Sequence, residues 1–357
     1  MNIPVSHWRG EGRIANGTLA SLPGLFWRRF AGRFGVGGGV VVILLVALWG
    51  VAVVWSREPD PFDTRAATLE RFAGDQTRLV TGAVVTHTLI RVARTLLEKP
   101  GGYITNDKTP PGVFMDNMPA WEFGVLTQVR VLAQSMRNDF SRSQSQSVED
   151  PDLARGEPQF NFNNNSWIMP ATEEEYRAGL RYLDNYLVRL ADPKQTTAQF
   201  FSRADNLAAW IDVVSKRLGA LSQKLRSSVG QQRLNTDLGG DPDSRQSTPV
   251  AEQEFVKTPW LLIDDVFYEA RGSCWALLHF LRAMEVDFQE ILRKKNALVS
   301  LRQIIRELEP TLETVWSPMI LNGGGFGLLA NHSMVMGAYV SRANAALIDL
   351  KNLLQRG

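Results

Sequence analysis

The amino-acid sequence predicts an all-α protein in which a single N-terminal transmembrane helix precedes an elongated helical bundle with long ordered loops. Residues 36–55 contain no charged side chain, and apolar residues recur at spacings of three and four along most of the following chain. Alternating stretches of the strand type are scarce. An apolar content of 44% excludes a wholly disordered chain, and a formal net charge of +2 excludes a strongly basic nucleic-acid-binding protein.

The uncharged segment VGGGVVVILLVALWGVAVVW is long enough to cross a bilayer, since a helix of about 20 residues spans the roughly 30 Å hydrocarbon core. Trp49 and Trp55 fall toward its end, where indole rings favour the membrane interface. A cleaved signal peptide has a shorter apolar region of about 7–15 residues, followed by small residues at the cleavage site. We therefore expect an uncleaved anchor that contacts the lipid bilayer through residues 36–55.

The charges on either side of the anchor predict its orientation. Residues 1–35 carry five arginines and one acid, Glu11, whereas Arg57 and then the acids Glu58, Asp60 and Asp63 follow the anchor. An excess of Lys and Arg marks the cytoplasmic side of a membrane segment. We expect residues 1–35 to form a basic cytoplasmic tail and residues 56–357 to lie on the other side of the membrane.

Gly35 and Gly39 form a GxxxG spacing at the inner edge of the anchor. This spacing lets two membrane helices approach closely, so the sequence leaves self-association into a homo-oligomer open. A flexible lead-in to the anchor is the alternative interpretation of the same glycine-rich stretch.

Three helices are predicted in the first part of the ectodomain. The first follows Asp63 and carries the stripe Leu69, Phe72, Gln76, Leu79, Ala83, His87, Ile90 and Leu97. The second opens with Thr172 and Glu175 as a capping box, and its stripe is Tyr176, Leu180, Leu183, Leu187 and Leu190. The third has the stripe Phe200, Ala204, Leu207, Ile211, Val214, Leu218, Leu221 and Leu225. Because the connection between the second and third is short, we expect an antiparallel hairpin.

The longest apolar stripe begins at Thr258 and Pro259, a predicted N-cap and first helical residue. Its members are Trp260, Ile263, Phe267, Ala270, Cys274, Leu277, Leu281, Met284, Phe288 and Ile291. Such an unbroken series of a and d positions is typical of the seam of a bundle or coiled coil. A shifted stripe follows at Leu298, Leu301, Ile305 and Leu308, and the last helix carries Met336, Val340, Ala343, Leu347, Leu350 and Leu354.

Three stretches interrupt this helical pattern. Lys99–Trp121 and Ser141–Pro170 contain aromatic residues, so we expect both to be ordered against the bundle. Ser227–Pro249 is rich in Gly, Asp and Ser and contains no aromatic residue, which favours a disordered linker. We expect this linker, residues 227–250, to separate a first helical part, residues 56–226, from a second helical part, residues 251–357, that packs on the first.

Two of these stretches also carry a family resemblance. The phrases GGYITNDKTPPGVFMDNMPAWEFGVL and FSRSQSQSVEDPDL, followed by Trp167 and Pro170 in W-x-x-P spacing, resemble the bacterial membrane-anchored family called domain of unknown function 2333. The resemblance extends from the anchor through the last helix. It implies a bacterial inner-membrane protein with a periplasmic helical ectodomain. It implies no activity and supplies no catalytic residues.

Specific catalytic and cofactor motifs are missing from the sequence, which contains no HExxH, no GxxxxGK[ST] and no GxSxG. The single cysteine, Cys274, excludes an intramolecular disulfide and a cysteine-based metal site. No histidine has a glutamate three residues before it, as di-iron bundles require. We therefore expect no metal and no cofactor. His87 lies on an apolar stripe, which favours a hydrogen-bonded core histidine over a ligand.

Three carboxylates are the candidates for acid catalysis. Asp265 and Glu269 share one helix face with Asp264 beside them, and a second acid nearby can raise a carboxyl pKa as glycosidases require. Glu122 lies beside Trp121 at a predicted helix start. The simpler interpretations are a solvated helix face for the first two and a favourable interaction with the helix N-terminus for Glu122.

The leading functional hypothesis is a bitopic inner-membrane protein that presents a periplasmic helical ectodomain as a binding or scaffold module in the cell envelope. Its partner would be an envelope protein. The candidate binding residues are the loop aromatics, which are of the types that anchor protein interfaces: Tyr103, Phe114, Phe160, Phe162 and Trp167. The alternative for each aromatic is a lid over an apolar end of the bundle.

Two other functions remain open from the sequence. One is a periplasmic cell-wall glycan hydrolase or lytic enzyme that uses Glu122, Asp265 or Glu269 as a helix-borne carboxylate. The other is a sensor that binds a ligand between helices and signals inward. The tail of residues 1–35 carries no kinase or effector module, which disfavours the sensor.

Overall fold

The structure is a computed structural model that describes residues 24–143, 148–195, 197–234, 253–317, 319–324 and 327–356. The predicted all-α class is confirmed, because the described residues form eleven α-helices and a single two-stranded sheet. In chain order these are α1 Gly24–Trp55, α2 Thr64–Arg71, α3 Ala83–Glu98, α4 Asn117–Ser135, α5 Pro151–Phe160, α6 Thr172–Leu190, α7 Ala204–Arg226, β1 Gln231–Leu234, β2 Gln253–Val256, α8 Ile263–Asp287, α9 Gln289–Lys294, α10 Leu298–Leu308 and α11 His332–Gln355. The chain divides into two compact units, Met1–Gly50 and Val51–Gly357.

Helix α1 contains the segment Gly38–Trp55, which is long and apolar enough to cross a membrane. It coincides with the predicted anchor at residues 36–55. An apolar helix this close to the N-terminus is found in membrane anchors and can also belong to a signal sequence, so insertion in a membrane stays a prediction.

The centre of the second unit is the pair α4 and α8, which run side by side in the same direction. Near the start of α4, the ring centroid of Trp121 lies 5.3 Å from that of Trp275. Beyond the other end of α4, the ring of Phe140 lies 5.5 Å from that of Phe288, which directly follows α8. The apolar stripe predicted for this helix is buried from Ile263 to Phe288.

Two glycines allow α4 and α8 to touch through their backbones. A Cβ atom on Gly124 would collide with the carbonyl oxygen of Glu269, and one on Gly272 would collide with the carbonyl oxygen of Trp121. Any side chain at either position would force the two helices apart. The closest contact in the core therefore depends on the absence of two Cβ atoms.

Helix α3 runs in the opposite direction to α8, and Asp287 at the end of α8 caps its start. The backbone N–H of Val85 donates to the Asp287 carboxylate at 2.8 Å. Gly82, the N-cap residue of α3, has a left-handed φ of 89° and offers no side chain for capping. Asp287 supplies the missing acceptor from a distant part of the chain. Burial raises the pKa of Asp287 to about 7, against the lowering effect of the backbone N–H donors.

The predicted hairpin of α6 and α7 is wrong. α6 packs chiefly on α5 and α3, whereas α7 packs chiefly on α11. α6 ends at Leu190 and α7 begins at Ala204, so the connection between them is longer than the apolar stripes suggest. Within it, the backbone N–H of Phe201 donates to the carbonyl of Phe140 at 2.7 Å. This contact directs the chain toward the far end of α4 instead of back along α6.

The predicted start after Asp63 is confirmed by α2, but two other predicted helix starts differ from the structure. The N-cap of α6 is Ala171, and the Thr172 hydroxyl instead donates to the carbonyl of Asn163 at 2.8 Å, so the capping box is wrong. α8 begins at Ile263, because a 3₁₀ turn at Trp260–Leu262 separates it from Pro259. Trp260, predicted to belong to the seam, is exposed. In contrast, every predicted apolar position of the last helix is buried.

Two of the predicted interruptions contain secondary structure. α5 lies within Ser141–Pro170, where the Asp150 carboxylate caps its first turn. β1 lies within the predicted linker and pairs antiparallel with β2, with Gln231 opposite Val256. The rest of the linker, residues 235–250, lies outside the described residues. The boundary between two helical parts therefore stays a prediction.

Two histidines are buried and hydrogen-bonded in the neutral form. Nε2 of His279 accepts the backbone N–H of Phe62 at 3.0 Å, and its Nδ1 lies 2.7 Å from the carbonyl oxygen of Trp275. Nδ1 of His87 lies 3.1 Å from the hydroxyl of Thr68, as expected of a core histidine. Burial is the main reason that both imidazoles have a pKa of about 4.

The two buried histidines are expected to lower the free energy of unfolding as the pH falls from 7 to 4. Each histidine has its pKa lowered on folding, so it stabilises the fold above an unfolded-state pKa of about 6.5 and loses that contribution as the pH approaches 4. Asp287 has a raised pKa, acts in the opposite direction and offsets part of the effect. Urea unfolding of the detergent-solubilised chain at both pH values measures the difference.

Two variants act in opposite directions in this measurement. His279→Gln keeps an acceptor for the Phe62 N–H without titrating, so it should flatten the pH dependence. Asp287→Asn removes the opposing group and should steepen it. An unaltered pH dependence in both variants would show that these buried groups do not control acid stability.

Candidate functional site

The two aromatic-bearing interruptions meet in the structure. We call residues 99–116 loop 1 and residues 161–171 loop 2. Three hydrogen bonds join them: the Tyr103 hydroxyl donates to the carbonyl of Asn164 at 3.1 Å, the Asn106 amide donates to the carbonyl of Ser166 at 2.8 Å, and the Lys108 ammonium donates to the side-chain oxygen of Asn165 at 3.1 Å. The loops therefore form a single layer.

Helix α5 makes this meeting possible, because it returns the chain along α4. The guanidinium of Arg130, in the middle of α4, donates to the carbonyl of Phe160 at 2.7 Å and to that of Phe162 at 3.0 Å. The first bond fixes the end of α5 and the second fixes the start of loop 2. Although the two interruptions lie on either side of α4 in the sequence, they are adjacent in space.

A buried ion pair holds the start of loop 1. The Lys99 ammonium lies 2.6 Å from the Glu122 carboxylate, and neither side chain is exposed to solvent. Glu122 also accepts the backbone N–H groups of Ile104 at 2.9 Å and Thr105 at 2.8 Å. Lys99 donates to the carbonyl of Gly102 at 2.5 Å. Both charged groups are thus satisfied within the protein.

Glu122 therefore differs from its sequence interpretation. It lies inside α4 and binds a neighbouring loop, so it does not act on the helix N-terminus. Both of its oxygens accept hydrogen bonds from loop 1. This arrangement gives Glu122 a structural task and leaves no free oxygen directed at a substrate.

The other two candidate acids have different surroundings. Glu269 pairs with Lys224, with 3.1 Å between ammonium and carboxylate. Asp265 is partly buried, and its Oδ1 has no hydrogen-bond partner among the described residues. Burial, followed by the negative charges of Asp116, Asp264 and Glu269, raises the pKa of Asp265. Of the three candidates, Asp265 has the environment closest to that of a general acid.

The five candidate aromatics fall into two groups. Tyr103 and Phe160 are buried and pack on Tyr176, with ring centroids at 5.6 Å and 6.1 Å, and Phe162 is half-buried. These side chains cover the bundle and are not available to a partner. Phe114 and Trp167 are 77% and 56% exposed.

Three further exposed apolar residues accompany them. Val113 lies beside Phe114, and Ile168 and Met169 follow Trp167. We call these five residues the loop surface: Val113, Phe114, Trp167, Ile168 and Met169. Trp167, Ile168 and Met169 form a run of three large apolar residues in a loop. This run is visible in the sequence, but a search for aromatic residues alone does not find it. Large exposed apolar residues grouped on ordered loops in this way are typical of interaction sites.

Among the described residues, no group of three or more His, Cys, Asp or Glu side chains is arranged to hold a metal ion. The candidate site consists of the apolar loop surface and the carboxylates described above. The loop surface offers large apolar groups on a hydrogen-bonded support.

The comparisons with known proteins identify a family. The family model described as an uncharacterized protein conserved in bacteria, domain of unknown function 2333, matches residues 28–357. The chain belongs to this family, as the two loop phrases suggested. No curated protein and no solved structure matches the chain.

Proposed function

We propose that this chain is a bitopic bacterial inner-membrane protein whose residues 56–357 form a periplasmic ectodomain that binds a protein of the cell envelope. The observation that carries the proposal is the loop surface. It exposes large apolar side chains from two loops that are fixed to each other by three hydrogen bonds. Aromatic residues with this exposure are the usual anchors of protein interfaces.

The rigidity of the loop surface supports a binding role. Loop 1 is held by the buried Lys99–Glu122 pair, and loop 2 by Arg130 and by the Thr172 hydroxyl. A surface that is already ordered loses little conformational entropy when a partner binds. Exposed apolar groups that served only to cover the bundle would be expected to pack inward, as Tyr103 and Phe160 do.

The membrane position rests on α1 and on the charges before it. Gly38–Trp55 has the length and hydropathy of a membrane span, and residues 1–35 contain five arginines and one acid. The positive-inside rule then directs the C-terminal unit to the periplasm. An uncleaved anchor keeps the ectodomain attached to the membrane.

Crosslinking in spheroplasts tests orientation and binding together. Val113→Cys and Ile168→Cys place a thiol beside Phe114 and Trp167, and a membrane-impermeant thiol-directed photo-crosslinker is attached there. We expect both variants to be labelled and to give the same discrete adduct. Adding Phe114→Ser or Trp167→Ser should reduce that adduct several-fold without changing the melting temperature, since both side chains are exposed.

Val299→Cys is the matched control, because Val299 is 77% exposed near the start of α10, where Arg302 pairs with Glu285 near the end of α8. Adduct formation there equal to that at the loop surface would contradict the binding role. Labelling only after cell lysis would contradict the orientation. A large fall in melting temperature in the serine variants would show that the loop surface is structural.

A cell-wall glycan hydrolase is the second candidate function, and the raised pKa of Asp265 favours it. Asp116 is the second carboxylate, because its charge is among the causes of that shift. The support is narrower than for binding, since Glu122 and Glu269 are already engaged in ion pairs. Incubating the purified chain with peptidoglycan decides the question, and Asp265→Asn should be inactive if this function holds.

A further inference from the structure

The position of Trp55, the last residue of α1, defines one end of the unit 51–357. The chain that follows Trp55 runs along α8. The Glu58 carboxylate lies 2.6 Å from Nε of Arg271, and the backbone N–H of Phe62 donates to His279 further along the helix. The chain from Phe62 back to Glu58 therefore runs toward the start of α8. We call the end of the unit 51–357 at which α8 starts the anchor-side end.

Other elements confirm which helix ends lie there. Loop 1 follows the end of α3, and a Cβ atom on Gly101 would come within 2.6 Å of the Trp55 indole. α4 begins at the same end, because it is parallel to α8. α11 also begins there, since the ring of His332 lies 6.4 Å from that of Phe267 in the first turns of α8.

Large exposed apolar residues collect at this end, separately from the loop surface. The 3₁₀ turn before α8 exposes Trp260, Leu261 and Leu262. The segment between α10 and α11 exposes Trp316, which is 93% exposed, together with Leu328 and Leu329. Arg271 holds the start of that segment by donating to the carbonyl of Glu313 at 2.6 Å.

The opposite end differs in composition. Val299 near the start of α10 and Val286 near the end of α8 are exposed there, and both are smaller than the residues of the anchor-side end. Among the described residues that follow the apolar span, the exposed tryptophans are Trp167, Trp260 and Trp316. Trp167 belongs to the loop surface, whereas Trp260 and Trp316 belong to the exposed residues of the anchor-side end. Tryptophan is the residue that most favours the membrane–water interface.

We propose that six residues of the anchor-side end form a lipid-facing surface that inserts into the phospholipid interface beside the anchor: Trp260, Leu261, Leu262, Trp316, Leu328 and Leu329. This inference rests on the proposed function, because it requires that α1 is inserted in the membrane. The protein would then contact the bilayer twice, through the membrane-spanning α1 and through this surface, which enters only one leaflet. The partner is the lipid itself and not another protein.

Distance supports the bilayer as the partner. Trp55 ends the apolar span, so the membrane interface lies at this residue when the span is inserted. From Arg271 to Leu262 the chain is mostly helical and advances about 13 Å, and Glu58, beside Arg271, is three residues from Trp55. The turn that carries Leu261 therefore lies beyond Glu58 toward the anchor-side end.

Charge near the turn is compatible with this contact. Lys257 is exposed just before Trp260, where an ammonium can approach phospholipid phosphates. Asp264 and Asp265 are part of α8 and lie further from the tip of the turn. Because the surface is mainly apolar, we expect insertion to depend little on salt.

Fluorescence quenching in vesicles tests the inference on the full chain. Leu261→Cys and Val299→Cys are matched, since the native residues are 79% and 77% exposed. Each variant is labelled with an environment-sensitive fluorophore and reconstituted into vesicles of phosphatidylethanolamine and phosphatidylglycerol that contain a spin-labelled phospholipid. Cys274 does not interfere, because it is fully buried and burial raises its pKa to about 12.

We expect the quencher to reduce the emission of the Leu261→Cys probe several-fold more than that of the Val299→Cys probe. Leu328→Cys should behave like Leu261→Cys, which guards against a local defect in one variant. Equal quenching at Leu261→Cys and Val299→Cys would overturn the proposal. Shielding of Leu261→Cys in native membranes but not in vesicles would also overturn it, because a protein would then cover the surface.

A probe at Trp49→Cys separates this inference from its premise. Quenching of that probe without quenching of Leu261→Cys refutes the lipid-facing surface alone and leaves the anchor intact. No quenching at Trp49→Cys refutes the inserted anchor and, with it, the lipid-facing surface.

Discussion

Glu122→Gln is expected to lower the free energy of unfolding by about 3–5 kcal/mol, the cost of leaving one buried charge without its partner. In this variant the Lys99 ammonium stays buried, 0% exposed, with no carboxylate beside it. The glutamine also supplies one acceptor oxygen where the carboxylate supplies two to Ile104 and Thr105. Urea unfolding of the full chain in detergent measures the loss.

The double variant Lys99→Met, Glu122→Gln separates charge burial from the lost hydrogen bonds. Removing both charges should recover part of the stability, because no unpaired ion remains in the core. Glu98→Gln is the surface control, since Glu98 is largely exposed and 3.8 Å from Arg94. A double variant no more stable than Glu122→Gln would show that the ion pair is not the source of the effect.

Gly272→Ala is expected to destabilise the fold by at least about 1–3 kcal/mol, the usual cost of overpacking a core. The new methyl group would overlap the backbone carbonyl of Trp121, which cannot move without displacing α4. Gly124→Ala should have a similar effect against the carbonyl of Glu269. Melting temperature and the midpoint of urea unfolding report the change.

Gly219→Ala is the matched control for these two variants. Gly219 also lies inside a helix, α7, but its Cβ would meet only the Asn344 amide at 3.5 Å, an ordinary contact. Alanine should therefore stabilise this helix by up to about 1 kcal/mol through its higher propensity. If Gly272→Ala were as stable as Gly219→Ala, the close approach of α4 and α8 would not be a determinant of the fold.

The sequence predicted best what depends on local periodicity. The buried faces of α8 and α11 follow from apolar spacing alone, because a helix has to bury its stripe wherever it packs. Periodicity does not say which helix covers the stripe. The sequence therefore suggested a hairpin of α6 with α7, whereas hydrogen bonds at Phe201 and Asn206 direct α7 away from α6.

The candidate site was predictable only in part, for a similar reason. Residue type identified the loop aromatics, but Tyr103 and Phe114 are both large aromatic residues in the same loop, and only the folded structure separates the buried ring from the exposed one. The Lys99–Glu122 pair joins two residues on different elements, so no spacing rule connects them. Trp260 fits the heptad pattern, but it lies in the 3₁₀ turn that precedes the first residue of α8.

The attachment of the chain along α8 has a mechanical consequence. Tension on the anchor reaches the bundle through the segment from Trp55 to Phe62, which is tied to α8 by the Glu58–Arg271 pair and by the hydrogen bond from Phe62 to His279. Because these ties lie one after another along the helix, a pull along its axis loads them in shear, so that they share the force. The Arg271 guanidinium also donates hydrogen bonds to the carbonyls of residues 311–313. Part of the force is therefore transmitted to the C-terminal helices. A force that pulls α1 away from the bundle would thus load the centre of the bundle before it could unfold α2.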